Sequence, residues 1–132
     1  MEKGGTFKLA LLSDVAPKTV ANFEKKANGK FYDGLTFHRV EDWVVQGGDP
    51  LGNGTGGGNM ETEINKRSFI PGSLGVARGG DIKISNDSQF FINTTDASFL
   101  NEQYTNFGQL IEGADVVLGI QIGDKIKSIH VQ

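Results

Sequence analysis

Phe37-His38-Arg39-Val40-Glu41-Asp42-Trp43-Val44-Val45-Gln46-Gly47-Gly48-Asp49 is the stretch from which both fold and chemistry can be read, together with Ser88-Gln89-Phe90-Phe91-Ile92 further on. These two stretches place a guanidinium, two side-chain amides and a phenyl ring on short extended segments, with no acid–base pair, thiol or metal cluster among them. Such a set can hold a peptide and bias its electronics, but is poorly equipped to cleave or ligate anything. Side chains alternate across a strand, so Val44 and Gln46 share one face, as do Gln89 and Phe91, while Phe90 takes the other. The pattern fits a layout with Phe90 in the core and Gln89 and Phe91 lining an outer groove. It fits two ordinary strands with solvated amides as well. Arg39 alone reads as a strand arginine, a residue type usually found in solvent. On a regular strand His38 faces away from it, so the two cannot act on one substrate atom. His38 reads as packed or backbone-bonded, His130 as solvated.

Working outward, Thr6–Leu12 alternates loosely and predicts a strand. Pro17 suits a first helical turn, and Val20, Phe23 and Ala27 recur at helical spacing until Asn28-Gly29 supplies a stop. Asp33-Gly34 marks a turn before a strand at Leu35–Val40. Further strands are expected at Trp43–Gly47, Ser73–Ala77, Gln89–Thr94, Asn106–Ile111 and Ile126–Val131, with a glycine-rich loop at Leu51–Met60 and a polar loop at Arg78–Asp87. A weak helical segment falls near Ala114–Leu118. Many short strands with one or two helices favour a mainly β, closed antiparallel barrel.

The chain has 132 residues, with 19 glycines against 3 prolines, as a fold rich in tight turns requires. That length predicts a single domain spanning 1–132. A net charge of −3 provides no basic stripe for nucleic acid. Zero cysteines exclude disulfides and thiolate chemistry and fit the cytoplasm, as does the lack of a visible signal peptide or membrane span. The loop Gly52-Asn53-Gly54-Thr55-Gly56-Gly57-Gly58 lacks the Lys-Ser/Thr of a phosphate cradle and reads as a turn lying close to another segment. Glu61, Glu63, Asp81 and Asp87 lack metal-loop spacing and read as solvated charges. Two histidines make a Ser–His–Asp triad improbable. No metal or cofactor is expected.

Taken together, several blocks resemble the cyclophilin family of peptidyl-prolyl cis–trans isomerases, and the match is bacterial-like. They are Ala16-Pro17-Lys18-Thr19-Val20-Ala21-Asn22-Phe23, Phe31-Tyr32-Asp33-Gly34-Leu35-Thr36-Phe37-His38-Arg39-Val40, Gln46-Gly47-Gly48-Asp49-Pro50 and Gly54-Thr55-Gly56-Gly57. Gly72-Ser73-Leu74-Gly75-Val76-Ala77, Ser88-Gln89-Phe90-Phe91-Ile92 and Phe107-Gly108 complete the set. The resemblance runs from about Phe7 to Val131.

The resemblance implies a closed eight-stranded antiparallel barrel capped by two helices, with the groove on its outer face. It makes Arg39 the catalytic arginine and Phe91 part of the floor of a proline pocket. Trp43, Val44, Phe99 and Leu100 would form the apolar wall. Gln46, Gln89 and the backbone around Ala77-Arg78 would hold the peptide. The implied substrates are proline-containing peptides and unfolded proteins, turned over by a monomer that assists folding. The alternative is a peptide-binding scaffold or chaperone module with little turnover.

The chain departs from the family at several points. Asp42-Trp43 stands where the family usually has Pro-Gly-Phe, so Trp43 aligns with that phenylalanine. Arg78 replaces a common asparagine, and the loop Gly79–Asp87 is longer. Phe99 replaces a tryptophan associated with tight cyclosporin binding, so weak binding of that drug is expected. Tyr104 replaces a pocket histidine. The first strand is shortened, which would leave an unpaired edge.

Overall fold

A computed structural model describes residues 1–131. In chain order the elements are β1 (Lys8–Leu11), α1 (Pro17–Asn28), β2 (Arg39–Glu41), β3 (Val44–Gly47), β4 (Asn59–Glu61), β5 (Ser73–Arg78), β6 (Ile84–Asn93), β7 (Asn106–Glu112) and α2 (Ala114–Leu118), with a 3-10 turn at Ser98–Leu100. The fold is thus mainly β with two helices. One seven-stranded sheet runs in the order β1-β7-β5-β6-β3-β2, and β4 pairs with β6 off this path. Every named strand pair is antiparallel. Among the described residues, no helix is long and apolar enough to cross a membrane.

Register explains how one sheet makes both a core and a site. Val40, Val45, Ile92, Leu74, Gly108 and Leu11 align in one row across β2, β3, β6, β5, β7 and β1. Val45, Ile92 and Leu74 of that row are buried in the main core with Phe23, Tyr32, Phe37, Phe90 and Phe107. Gly108 belongs there because a Cβ would sit 2.8 Å from Leu74 Cδ2. The aromatic rings meet edge-on, Phe23 with Phe90 at 5.7 Å and with Phe107 at 5.4 Å. Such pairs contribute beyond the area they bury. The next row along, one residue away, points to the opposite face.

Helix α1 buries Thr19, Val20, Phe23 and Ala27, the stripe its spacing predicts. Ala16 at its N-cap offers no side-chain acceptor. Glu63 takes that role from a distance, accepting from Thr19 N at 2.6 Å, Thr19 Oγ1 at 2.7 Å and Lys18 N at 3.2 Å. The helix ends at Asn28, but the left-handed residue that turns the chain is Lys30 (φ 62°) rather than Gly29 (φ −82°).

Four expectations need correction. The strand expected at Leu35–Val40 is reduced to β2, preceded by one bridge between Thr36 and Lys125. The strand expected at Ile126–Val131 is not formed: backbone bonds join Ile126 to Gly34 and Leu35, and the bridge goes no further. The expected polar loop Arg78–Asp87 is a loop only at residues 79–83, since Arg78 ends β5 and Ile84–Asp87 begin β6, and Met60 lies in β4, which pairs with β6 in register Asn59↔Asn86 to Glu61↔Ile84. Two of the acids are not free in solvent, since Glu63 caps α1 and Asp87 accepts from Gly58 N at 2.7 Å, whereas Glu61, paired with Lys18, stays exposed.

Candidate active site

The hairpin β2–β3 turns through Asp42 and Trp43 alone, with Glu41 and Val44 as its closing pair. Trp43 therefore sits in the turn, not in the strand where the sequence suggests it. This hairpin aligns Arg39 with Gln46, Gln46 aligns with Phe91 on β6, and Phe91 with Gly75 on β5. Two strand spacings separate Arg39 from Phe91, roughly 10 Å between Cα atoms.

A directed hydrogen-bond chain crosses this face. Arg39 Nη1 donates to Gln46 Oε1 at 3.2 Å, Gln46 Nε2 to Gln89 Oε1 at 3.1 Å, and Gln89 Nε2 to Gly56 O at 2.9 Å. At the other end Arg39 Nε donates to the carboxylate of Glu41. The Arg39 guanidinium also lies over the Trp43 ring, 5.6 Å from its centroid.

Beside the chain is a second apolar cluster, separate from the core. Val44, Phe69, Phe91, Ala97 and Leu100 are buried in it, with Trp43 and Tyr104 packed against them. Phe91 stacks on Phe69 at 5.7 Å and meets the edge of Tyr104 at 5.9 Å. Gly75 is required beneath: a Cβ there would overlap the Phe91 ring and lie 2.8 Å from Phe69 Cε1. Phe99 is 67% exposed and leans on Trp43 at 5.2 Å.

On the remaining side, Ala77 and Arg78 are half-buried at the end of β5. Arg78 donates from Nε to Gln103 O at 2.9 Å and from Nη1 to Gly79 O at 2.8 Å, and lies over Tyr104 at 4.3 Å. Ten of the eleven side chains singled out in the sequence are thus linked by hydrogen bonds, ring contacts or shared packing, and Ala77 adjoins them only as the neighbour of Arg78 on β5. Two neighbours escaped sequence reading. Phe69 lies in an irregular stretch without periodicity, and Glu41 looked like any strand carboxylate.

The glycine loop wraps a carboxylate, not a phosphate. Asp49 is fully buried and accepts from Leu51 N at 2.9 Å and Asn53 N at 3.0 Å, and from Gly54 N. Burial pushes its pKa up, but the backbone N–H groups of Leu51, Gly56, Gly54 and Asn53 outweigh this and hold it below the usual carboxylate range. His38 lies against this loop with Nδ1 buried and without a hydrogen-bond partner among the described residues. Desolvation lowers its pKa; Asp49 opposes this and Arg39 adds to it.

A guanidinium bonded to Glu41 and Gln46 beside a buried aromatic and aliphatic cluster is the arrangement these residues make. The family model for cyclophilin-type peptidyl-prolyl cis-trans isomerase/CLD matches residues 1–131. The chain belongs to the cyclophilin family. Among curated cyclophilin relatives, peptidyl-prolyl cis-trans isomerase B of Bacillus subtilis is 42% identical, covering 100% of this chain and 94% of the relative. A peptidyl-prolyl cis-trans isomerase of Synechococcus elongatus is 41% identical over 96% of this chain and 90% of its own. The fold is cyclophilin-like: a Cryptosporidium parvum cyclophilin, solved in the presence of the dipeptide Ala-Pro, superposes with a TM-score of 0.81 at 28% identity, covering 92% of this chain and 86% of that one.

Proposed function

We propose that this cyclophilin catalyses rotation about X–Pro peptide bonds in unfolded or flexible protein segments, with Arg39 as the catalytic group. The observation that carries the reading is the row Arg39–Gln46–Phe91, which sets a guanidinium two strands from an aromatic cluster.

Amide resonance gives the C–N bond double-bond character and a rotation barrier of about 18–20 kcal/mol. Unaided X–Pro bonds interconvert over tens to hundreds of seconds. No bond need break: the twisted state is reached when the prolyl nitrogen becomes pyramidal and regains its lone pair. A planar amide nitrogen accepts a hydrogen bond poorly, whereas the twisted one accepts it well. A donor from Arg39 therefore binds the transition state more than the ground state, which is what lowers a barrier. Such a preorganised donor contributes roughly 3–4 kcal/mol, two to three decades in rate at about 1.36 kcal/mol per decade.

Phe91 forms the slot floor for the proline ring, with Val44, Leu100, Trp43, Phe99 and Tyr104 as its walls. Gln46, Gln89 and the backbone at Ala77-Arg78 hold the peptide. Excluding water around the amide strengthens the Arg39 interaction.

The same proposal takes residues 1–132 as a single domain whose barrel closes as eight strands, and the protein as a cytoplasmic monomer assisting folding. Its partners are proline-containing chains and not nucleic acid, given the net charge of −3. Cyclosporin binds weakly, since Phe99 offers no indole N–H.

A second reading, a proline-peptide-binding module with little turnover, draws on the ion pair that already engages Arg39. NMR exchange between cis and trans signals of an Ala-Pro peptide separates the two. Accelerated exchange at substoichiometric protein is expected; shifted signals without acceleration would leave only binding.

A further inference from the structure

We propose that Glu41 is a positioning residue for Arg39, a role that rests on the reading of Arg39 given above. The two residues are two positions apart on β2 and so share a face. The Glu41 carboxylate accepts from Arg39 Nε, while Nη1 is tied to Gln46 Oε1 at 3.2 Å and the Trp43 ring lies 5.6 Å from the guanidinium. A guanidinium has five N–H donors. These contacts use one on Nε and one on Nη1, leaving three for a peptide.

An arginine stem has many rotamers, and a single anchor leaves the planar head free to swing. Two anchors on different nitrogens fix both its direction and its plane. The ordering is completed before substrate arrives, which is where an orienting group contributes to rate. The tight turn at Asp42-Trp43 makes this possible. It brings donor, carboxylate, ring and the Val44 wall onto one hairpin, in register Arg39↔Gln46 and Glu41↔Val44. An ordinary surface ion pair does little for stability. Here its effect falls on the geometry of one side chain. Both partners are about half exposed, 44% and 47%, so removing the carboxylate opens no cavity in the fold.

The test measures kcat and KM for an Ala-Pro peptide with the native chain, Glu41→Ala, Glu41→Gln, Arg39→Ala and the double variant, each checked for a native melting transition. Glu41→Ala is expected to lower kcat about tenfold, with KM nearly unchanged; an ångström of misplacement costs up to about a hundredfold. Glu41→Gln, still able to accept from Nε, recovers part of the loss. In the Arg39→Ala background, removing Glu41 has no further effect. The proposal is overturned by native or raised kcat in Glu41→Ala, by a loss confined to KM, or by an equal loss in the Arg39→Ala background. Native kcat in Arg39→Ala removes the reading of Arg39 itself. Native kcat in Glu41→Ala beside an impaired Arg39→Ala removes only the role of Glu41.

Discussion

Arg39 donates from two different nitrogens, to Glu41 and to Gln46, and only a planar fork can do both while keeping N–H groups for a peptide. Arg39→Lys keeps the charge but loses that fork. Its kcat/KM should drop about a hundredfold, consistent with loss of a preorganised donor, while the peptide titration measured by chemical shift stays close to native. Because arginine remains protonated with a pKa above about 12, turnover should be level between about pH 6 and 9, and a bell-shaped profile would contradict the mechanism. At this scale the sequence was informative where strand alternation applies: period two pairs Val44 with Gln46 and Gln89 with Phe91, while the register Gln46↔Phe91 that joins the two pairs comes only from the sheet. Glu41 could not be singled out, since its significance comes from a rotamer of Arg39 that alternation does not specify. Phe69 was invisible because it reaches the Phe91 ring from a segment without regular spacing.

Among the elements, β6 was the one most misjudged. Its first part, Ile84–Asp87, falls in the expected polar loop, yet the side chains of Asn86 and Asp87 bind the glycine loop. Asn86 Nδ2 donates to Gly56 O at 2.9 Å, and Asp87 accepts from Gly58 N. Polar composition signals a loop only when the groups face water, and here they face another backbone. The beginning of α1 was also only half legible: Pro17 marks it, but its cap, Glu63, comes from far along the chain. Glu63→Ala should destabilise by about 1 kcal/mol, the usual worth of a lost cap, read as a lower urea midpoint with unchanged slope. Gly75→Ala puts a methyl where the Phe91 ring lies. Overpacking there should cost about 1–3 kcal/mol and impair turnover more than stability, since the displaced ring is the slot floor. A Gly75→Ala chain with native turnover would mean that Phe91 does not form that floor.

For the molecule as a whole, stability should fall on acidification in two stages. His38 has a lowered folded pKa, so the unfolded chain binds its proton first. That contribution is complete above the unfolded value of about 6.5 and declines as pH falls below it. Asp49 and Asp124 are also depressed; Asp124 by its hydrogen bond to Lys3, then by Gln121 N. Their contributions are present above the unfolded carboxylate value of about 3.9 and are lost as pH drops through the folded ones. Denaturation midpoints measured from pH 8 to 5 should therefore decline, and His38→Gln should flatten that decline. Much of the architecture was legible: a mainly β fold with a helix at Pro17–Asn28 and a second helical segment at Ala114–Leu118. The C-terminal segment was not, because a strand at Ile126–Val131 depends on neighbours that alternation within the segment cannot supply. The account rests on a guanidinium that favours the twisted imide over the planar one. The most direct measurement is cis–trans exchange of an Ala-Pro peptide by native chain and Arg39→Ala at equal peptide saturation. Exchange slowed by two to three decades in the variant, corresponding to roughly 3–4 kcal/mol, is the predicted result; equal exchange in both would contradict it.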